Sequence, residues 1–162
     1  MTNASKAVEL ALAQTIQEYA EVGAGVSIRP WQSLAEAAEG AGYARRFPCI
    51  DIRCSPPSFD DNAETRRVVA MIECRTKTDD DESHAIVVGM YEAALEVCDK
   101  LFYQARNTTG DELTAFAAAV ADVAPNVALG GFSFDAGMTP YDDDGDNALG
   151  IALAVHYSRS DM

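Results

Sequence analysis

Apolar side chains recur at helical spacing in two long segments of the chain. In residues 5–22 they form one stripe, which comprises Val8, Leu12, Ile16 and Tyr19. A second stripe follows an acidic run and comprises Val87, Met90, Tyr91, Ala94, Cys98, Leu101 and Phe102. Because residues three or four apart share one face of a helix, both segments are predicted to be amphipathic helices, the second reaching residue 103. Gly110 then separates it from a short Ala-rich helix predicted over residues 111–123.

Alternation of apolar and polar residues predicts the strands. Residues 66–77 alternate throughout, and the inward face would carry Val68, Ala70, Ile72, Cys74 and Thr76. Residues 47–54 are β-branched and end before two prolines, which suits a strand that stops there. Residues 127–134 and 148–158 are the last two predicted strands, and the second has one face of large and one of small side chains. Residues 26–29 suit a further short strand.

The order of these elements predicts an α+β fold. We expect an antiparallel β-sheet with a long helix and an N-terminal helix packed on it, plus a C-terminal hairpin. Residues 55–64 and 136–147 are predicted to be loops, whereas the Ala- and Glu-rich residues 31–42 fit a short helix and an ordered loop equally well. With 162 residues and 48% hydrophobic content, the chain should form a single domain over residues 1–162.

Charge is the most unusual global property of the sequence. The chain has 26 acidic and 12 basic residues, a formal net charge of −14. Specific DNA binders neutralise phosphates with clustered Lys and Arg, so specific nucleic-acid binding is disfavoured. An acidic wall would instead let a polyanion pass without sticking, over a Debye length of about 8 Å at physiological salt. Solubility explains the acidity equally well.

The apolar runs and the cysteines indicate where the protein is made. No run of about 18 apolar residues is present to span a bilayer, and the N-terminus lacks the basic-then-apolar order of a secretory signal. We therefore expect a protein that is cytosolic when made, with no membrane partner. Four cysteines without a CxxC pair favour reduced, buried thiols over a zinc site or a disulfide framework. Cys49 and Cys54, five apart in one strand, should point to opposite faces, which argues against a bridge between them.

An acidic run near the C-terminus contains a weak calcium candidate. Its members have the 1, 3, 5 spacing of a calcium loop and are Asp142, Asp144 and Asp146. The sixth position is Asn147 where the loop needs Gly, and the position of the bidentate Glu is taken by Leu153. The match fails at both places, so a solvated hairpin loop is favoured and no metal is predicted.

The sequence predicts no catalytic residue and no cofactor. His84 and His156 are the only histidines, and no nucleophile signature accompanies either, so a structural role is favoured for both. Asp51 and Glu73 would face each other across neighbouring strands, but such pairs arise by chance in so acidic a chain. We therefore expect a protein that is not an enzyme.

Two segments resemble a known family. Residues 68–75 are followed by residues 79–84, of which the first four are acidic, and by the long helix to Tyr103. Together these segments are similar to the strand-loop-helix core of the tail terminator and tail-completion proteins of long-tailed bacteriophages. Residues 150–159 resemble the last strand of that family. The resemblance covers most of the chain, including the N-terminal helix, and rests on patterns of residue type. The extra residues 35–46 depart from the family pattern and leave the register of the first strand open.

This resemblance implies a structural virion protein. It would form a homohexameric ring that caps the tail tube, stops its polymerisation and docks to the head-tail connector or stopper protein, with DNA only passing through the bore. It would be found in the host cytoplasm during assembly and then in the tail or neck of the virion. The acidic residues that would face the bore or a neighbouring subunit are Asp79, Asp80, Asp81, Glu82, Asp142, Asp143, Asp144 and Asp146.

Two alternatives belong to other classes. One is another neck or tail component, such as a head-tail adaptor, a stopper or a minor structural protein. The other is a small enzyme or ligand-binding α+β domain. A deep pocket converging on His84 or His156 would favour the ligand-binding domain, and large exposed apolar edges would favour assembly.

Overall fold

The structure is a computed structural model of the chain. It describes residues 3–30, 46–60, 64–134, 141–143 and 145–159. The helix or loop predicted for residues 31–42 lies outside the described residues.

The described residues form three α-helices and a β-sheet, as the predicted α+β class requires. The helices are α1 (Asn3–Tyr19), α2 (Ala85–Asn107) and α3 (Asp111–Val123), and a 3-10 helix (Thr78–Asp80) precedes α2. The strands are β1 (Ser27–Pro30), β2 (Cys49–Cys54), β3 (Ser58–Phe59), β4 (Arg66–Lys77), β5 (Val127–Phe134), β6 (Tyr141–Asp143) and β7 (Asp146–Arg159).

The long strands β4 and β7 form the centre of the sheet. They pair antiparallel from Arg66 opposite Tyr157 to Lys77 opposite Asp146. The strand order across the described part of the sheet is β1-β2-β4-β7-β5. The pair β1-β2 is parallel, so the sheet is mixed and not wholly antiparallel as predicted. Parallel neighbours need a long crossover connection, and residues 31–48 between these two strands are long enough to provide one.

Two short strands lie within predicted loops. β3 falls in residues 55–64 and pairs with the start of β4, while β6 falls in residues 136–147 and pairs with the start of β7. Gly145, the residue before β7, has φ +83°, a left-handed conformation that glycine adopts without strain. The loop predictions were wrong for these residues because each short strand is held by the end of a longer one, which local sequence does not reveal.

All three helices contribute to a single hydrophobic core on one face of the sheet. Four of the predicted inward residues of β4 are fully buried there: Val68, Ala70, Ile72 and Cys74. The largest fully buried apolar side chains of this core are Tyr157, Phe116, Leu12, Ile16, Ile50, Ile52, Ile72, Leu101 and Leu153. Each such side chain stabilises the fold by roughly 1.5–3 kcal/mol when it leaves water, so the helix-covered face holds the domain together. No helix among the described residues is both long and apolar enough to cross a membrane.

The cysteines are buried, as predicted. All four are free thiols. Cys54 belongs to the hydrophobic core, whereas Cys49 lies on the other face of β2 and its Sγ donates to Asp51 Oδ2 over 3.6 Å. Burial raises the pKa of Cys98 to about 12, so this thiol stays protonated at neutral pH.

Candidate functional site

The acidic residues before α2 divide into one helix cap and a group of exposed side chains. Asp81 is buried, and its carboxylate accepts hydrogen bonds from the backbone N–H groups of Ile86 and Val87, both over 3.0 Å. Thr76 Oγ1 donates to the same carboxylate over 2.8 Å, and Asn147 Nδ2 donates to the Asp81 carbonyl over 2.7 Å. Asp81 therefore fixes the first turn of α2 to the ends of β4 and β7.

These hydrogen bonds also determine the charge of Asp81. Burial alone would raise its pKa, but donation from Ile86, Thr76, Val87 and Asn147 outweighs burial and holds the pKa below its ordinary value. The ionised carboxylate faces the positive end of the α2 dipole, as predicted for acids at this position. The remaining acids of this group, Asp79, Asp80 and Glu82, are exposed.

The C-terminal acidic residues do not act as one loop. Asp142 and Asp143 belong to β6, and Asp144 lies outside the described residues. Asp146 is buried at the start of β7, where Lys77 Nζ lies 3.2 Å and Arg75 Nη1 3.9 Å from its carboxylate. No group of three or more His, Cys, Asp or Glu side chains in the described part of the chain could hold a metal ion.

The structure brings Asp51 and Glu73 together. They lie directly opposite each other on β2 and β4, on the sheet face that points away from the helices. Each carboxylate has a cationic partner: Arg29 Nη2 lies 3.6 Å from Asp51, while Glu73 pairs with Arg53 and, over 2.7 Å, with Arg75. The pair is therefore part of a buried ion network.

The arginines keep Glu73 ionised. Burial would raise its pKa, but hydrogen bonds and charges from Arg75 and Arg53 hold the pKa below its ordinary value. Proton transfer between paired carboxylates needs one of them to hold a proton near neutral pH. Glu73 is thus suited to stabilise the polar face of the sheet and not to exchange protons.

His84 precedes α2 directly. Its backbone is left-handed, with φ 63°, and forms the turn into α2. Its N–H donates to the Asp81 carbonyl over 3.1 Å, and its own carbonyl accepts the N–H of Val88 over 3.0 Å.

His156 belongs to a three-residue array that the sequence interpretation missed. Its Nδ1 lies 3.0 Å from Asp60 Oδ2, and its Nε2 lies 2.8 Å from Ser133 Oγ. Thr65 Oγ1 donates to the same Asp60 oxygen over 2.7 Å. The hydrogen bonds from Thr65 and His156 hold the pKa of Asp60 below its ordinary value, so Asp60 is an ionised acceptor.

A sequence signal for part of this array did exist. Ser133 stands between Phe132 and Phe134, and His156 stands between Val155 and Tyr157, so alternation places both polar side chains on the face opposite the core. Their pairing was hidden because a bulge between Leu129 and Gly131 shifts the register of β5 against β7.

Three aromatic side chains, two of them exposed, form a patch at one edge of the sheet. The aromatic patch comprises Phe102 and Tyr103 of α2 and Phe134 of β5. The ring of Phe102 lies 5.1 Å from that of Tyr103 and 6.0 Å from that of Phe134. Tyr103 is 59% exposed and Phe134 is 39% exposed, and the Arg106 guanidinium lies 5.8 Å from the Phe102 ring.

A cavity of about 450 Å³ lies in another part of the domain. It opens between the start of α1, β3 and the α3-β5 connection, and its lining includes Phe59, Arg66 and Arg159. Neither His84 nor His156 lines it. This cavity is thus not the pocket converging on a histidine that would favour a ligand-binding domain.

The fold defines an α+β domain whose mixed sheet is covered by helices on one face and carries a buried ion network on the other. No protein-family model matches the chain, and no curated protein matches it.

Proposed function

We propose that this protein is a structural virion protein of a long-tailed phage, a tail terminator. It forms a hexameric ring that caps the tail tube and joins it to the head connector, and DNA passes through the bore. The protein assembles in the host cytoplasm and becomes part of the tail or neck. The resemblance of residues 68–103 and 150–159 to that family supports this proposal, together with three features of the described surface.

The aromatic patch carries the proposal. Monomeric proteins rarely expose contiguous apolar patches larger than about a few hundred Å². Interface cores are enriched in Tyr, Phe and Arg. Tyr103, Phe134 and the adjacent Arg106 provide this combination. Burying the two exposed rings against a neighbouring subunit would favour association by about 25 cal/mol of free energy for each Å² of apolar surface removed from water.

The two edges of the sheet provide two different surfaces for contact between copies. β5, which carries Phe134, is the last strand at one end, and β1 is the last strand at the other. A closed ring larger than a dimer needs two complementary surfaces that differ from each other. A domain with a distinct strand at each end of its sheet meets this requirement.

The exposed acids support passage of DNA. Asp79, Asp80 and Glu82 lie together before α2 in a chain of net charge −14. A surface of this sign repels phosphates and lets DNA move without binding. The same features also suit a head-tail adaptor, a stopper or a minor structural protein, and the position of the protein in the virion separates these from a terminator.

Light scattering of the purified chain tests the proposal. We expect a mass near six subunits, or a monomer that forms rings when mixed with tail tubes. The double variant Tyr103→Ser and Phe134→Ser should remain monomeric in both conditions. Phe59→Ser is the matched control, because Phe59 is 65% exposed but lies on β3, on the other side of β4 and β7. A parent chain that stays monomeric or dimeric and never joins a tube would contradict the proposal.

A further inference from the structure

The array around His156 has the hydrogen-bond order of a nucleophile, a base and an orienting acid. Ser133 Oγ lies 2.8 Å from His156 Nε2, and Asp60 Oδ2 lies 3.0 Å from His156 Nδ1. We propose that Ser133, His156 and Asp60 form a hydrolytic site for carboxylic esters. This activity goes beyond the assembly role and does not depend on it.

The hydrogen-bond partners fix which nitrogen of His156 carries the proton. An ionised carboxylate only accepts hydrogen bonds, so Nδ1 must donate to Asp60. In the neutral imidazole Nε2 is then an acceptor, and the hydroxyl of Ser133 donates to it. This is the tautomer in which a histidine removes a proton from a serine nucleophile.

Thr65 holds the orienting carboxylate in place. Its hydroxyl donates to Asp60 Oδ2 over 2.7 Å, the same oxygen that faces His156. Asp60 is 17% exposed and His156 is 28% exposed, so the array lies at the surface but is partly shielded from water.

Small side chains leave the reacting groups accessible. Gly131 lies directly opposite His156, and a Cβ at Gly131 would meet no atom within 4 Å. Ser133 lies directly opposite Ala154, which in turn lies opposite Val69 on β4. Substrate would therefore approach Ser133 over Gly131, because Ala154 is buried and exposes 1% of its surface.

Arg67 supplies positive charge near Asp60. It lies directly opposite His156 on β4, on the same face of the sheet, where paired Cβ atoms are about 4.5–5.5 Å apart. Its Nε donates to Ser58 Oγ over 3.4 Å, which holds the side chain near β3. Together with the hydrogen bonds from Thr65 and His156, this charge holds the pKa of Asp60 below its ordinary value and keeps the orienting carboxylate ionised.

The reaction has two balanced steps. Ser133 Oγ bonds to the acyl carbon while its proton passes to His156 Nε2, and the alcohol leaves with that proton as the acyl-oxygen bond breaks. Water then attacks the acyl-serine, gives its proton to His156, and the carboxylic acid departs as Ser133 recovers its hydrogen. Asp60 stays ionised throughout and acts as a positioning residue.

Covalent labelling of the unaltered full-length chain tests the assignment. The chain is treated with an alkyl fluorophosphonate, the adduct is mapped by mass spectrometry, and release of 4-nitrophenolate from 4-nitrophenyl acetate is followed in parallel. We expect one adduct, on Ser133, and saturable ester hydrolysis. An adduct on other serines only, or none on Ser133, overturns the proposal, and this result does not depend on any variant folding.

Three variants separate catalysis from structure. Ser133→Ala should lose the adduct and lower ester hydrolysis on the order of 100-fold or more. Asp60→Asn should lower kcat on the order of 100-fold with little change in KM, because His156 then loses its preferred tautomer. Ser158→Ala, on the same strand as His156, is the matched control and should retain labelling and turnover. Equal hydrolysis by the parent chain and Ser133→Ala would also overturn the proposal.

Discussion

At the residue scale, Asp81 links secondary structure to charge. Its carboxylate caps α2 and also accepts the hydroxyl of Thr76, so it connects the helix to the central strand. Asp80 is its immediate neighbour but is exposed. Replacing each aspartate by asparagine therefore compares the loss of a buried charge at Asp81 with the loss of an exposed charge at Asp80.

We predict that Asp81→Asn lowers the free energy of unfolding at pH 7 by about 1–2 kcal/mol, because the helix loses a charged cap and Thr76 loses a charged acceptor. The control Asp80→Asn should change this free energy by less than about 0.5 kcal/mol. Urea unfolding followed by circular dichroism measures both values. Equal losses in the two variants would contradict the structural role of Asp81.

The free energy of unfolding that Asp81→Asn loses relative to the parent chain should depend on pH. The folded-state pKa of Asp81 lies below its ordinary value of 3.8, so the stabilisation is complete above that value. It disappears as the pH falls through the lower folded-state pKa, because the carboxyl group is then protonated in both the folded and the unfolded state. The difference between the parent and Asp81→Asn should thus be largest at neutral pH and shrink below about pH 4. A difference that grows towards pH 3 would be contrary to this assignment.

Sequence reasoning predicted the cap but not the array around His156. Acids before a helix act on amides a few residues away, so local sequence contains the whole interaction. Asp60 and His156 are 96 positions apart and Ser133 and His156 are 23 apart, and a bulge sets their register. Such a contact is a property of the assembled sheet.

At the element scale, strands with a clear inward face were predicted well. β4 has the predicted bounds, and its core residues are buried because period-two alternation is imposed directly by the core. The parallel pairing of β1 was not predictable, since strand direction depends on the path of residues 31–48. The short strands β3 and β6 were missed because their pairing depends on the ends of β4 and β7.

The turn between α2 and α3 depends on a glycine. Gly110 has φ +148°, and a Cβ there would approach the Gln104 side chain to between 2.0 and 2.3 Å. Gln104 accepts the N–H of Leu113 over 2.9 Å and donates to Glu112 over 2.5 Å, so it satisfies the start of α3. Displacing the Gln104 side chain would break its hydrogen bonds with the Leu113 N–H and with the Glu112 carboxylate.

We predict that Gly110→Ala lowers the free energy of unfolding by roughly 1–3 kcal/mol, through backbone strain and loss of the Gln104 hydrogen bonds. Gly89→Ala is the matched control. Gly89 is exposed within α2, and an added Cβ would meet no atom within 4 Å, so this change should raise stability by about 0.5–1 kcal/mol. Chemical denaturation of the two variants measures the difference, and a shift of the same sign in both would count against this account of the turn.

At the scale of the whole molecule, charge and apolar surface oppose each other. Each chain has a net charge of −14, so copies repel as they approach, whereas the aromatic patch favours contact. Salt reduces the repulsion because the Debye length falls from about 30 Å at 0.01 M to about 8 Å at 0.15 M ionic strength. Burial of apolar surface does not depend on that screening.

We therefore predict that the mass measured by light scattering increases as sodium chloride is raised from 0.01 M to 0.15 M, at constant protein concentration. The double variant Tyr103→Ser and Phe134→Ser should remain monomeric over the whole range, because screening alone provides no attraction. A mass that falls with added salt would show that ion pairs between copies dominate assembly. The exposed acids Asp79, Asp80 and Glu82 would then be the residues to replace, since they are accessible to basic side chains of a neighbour.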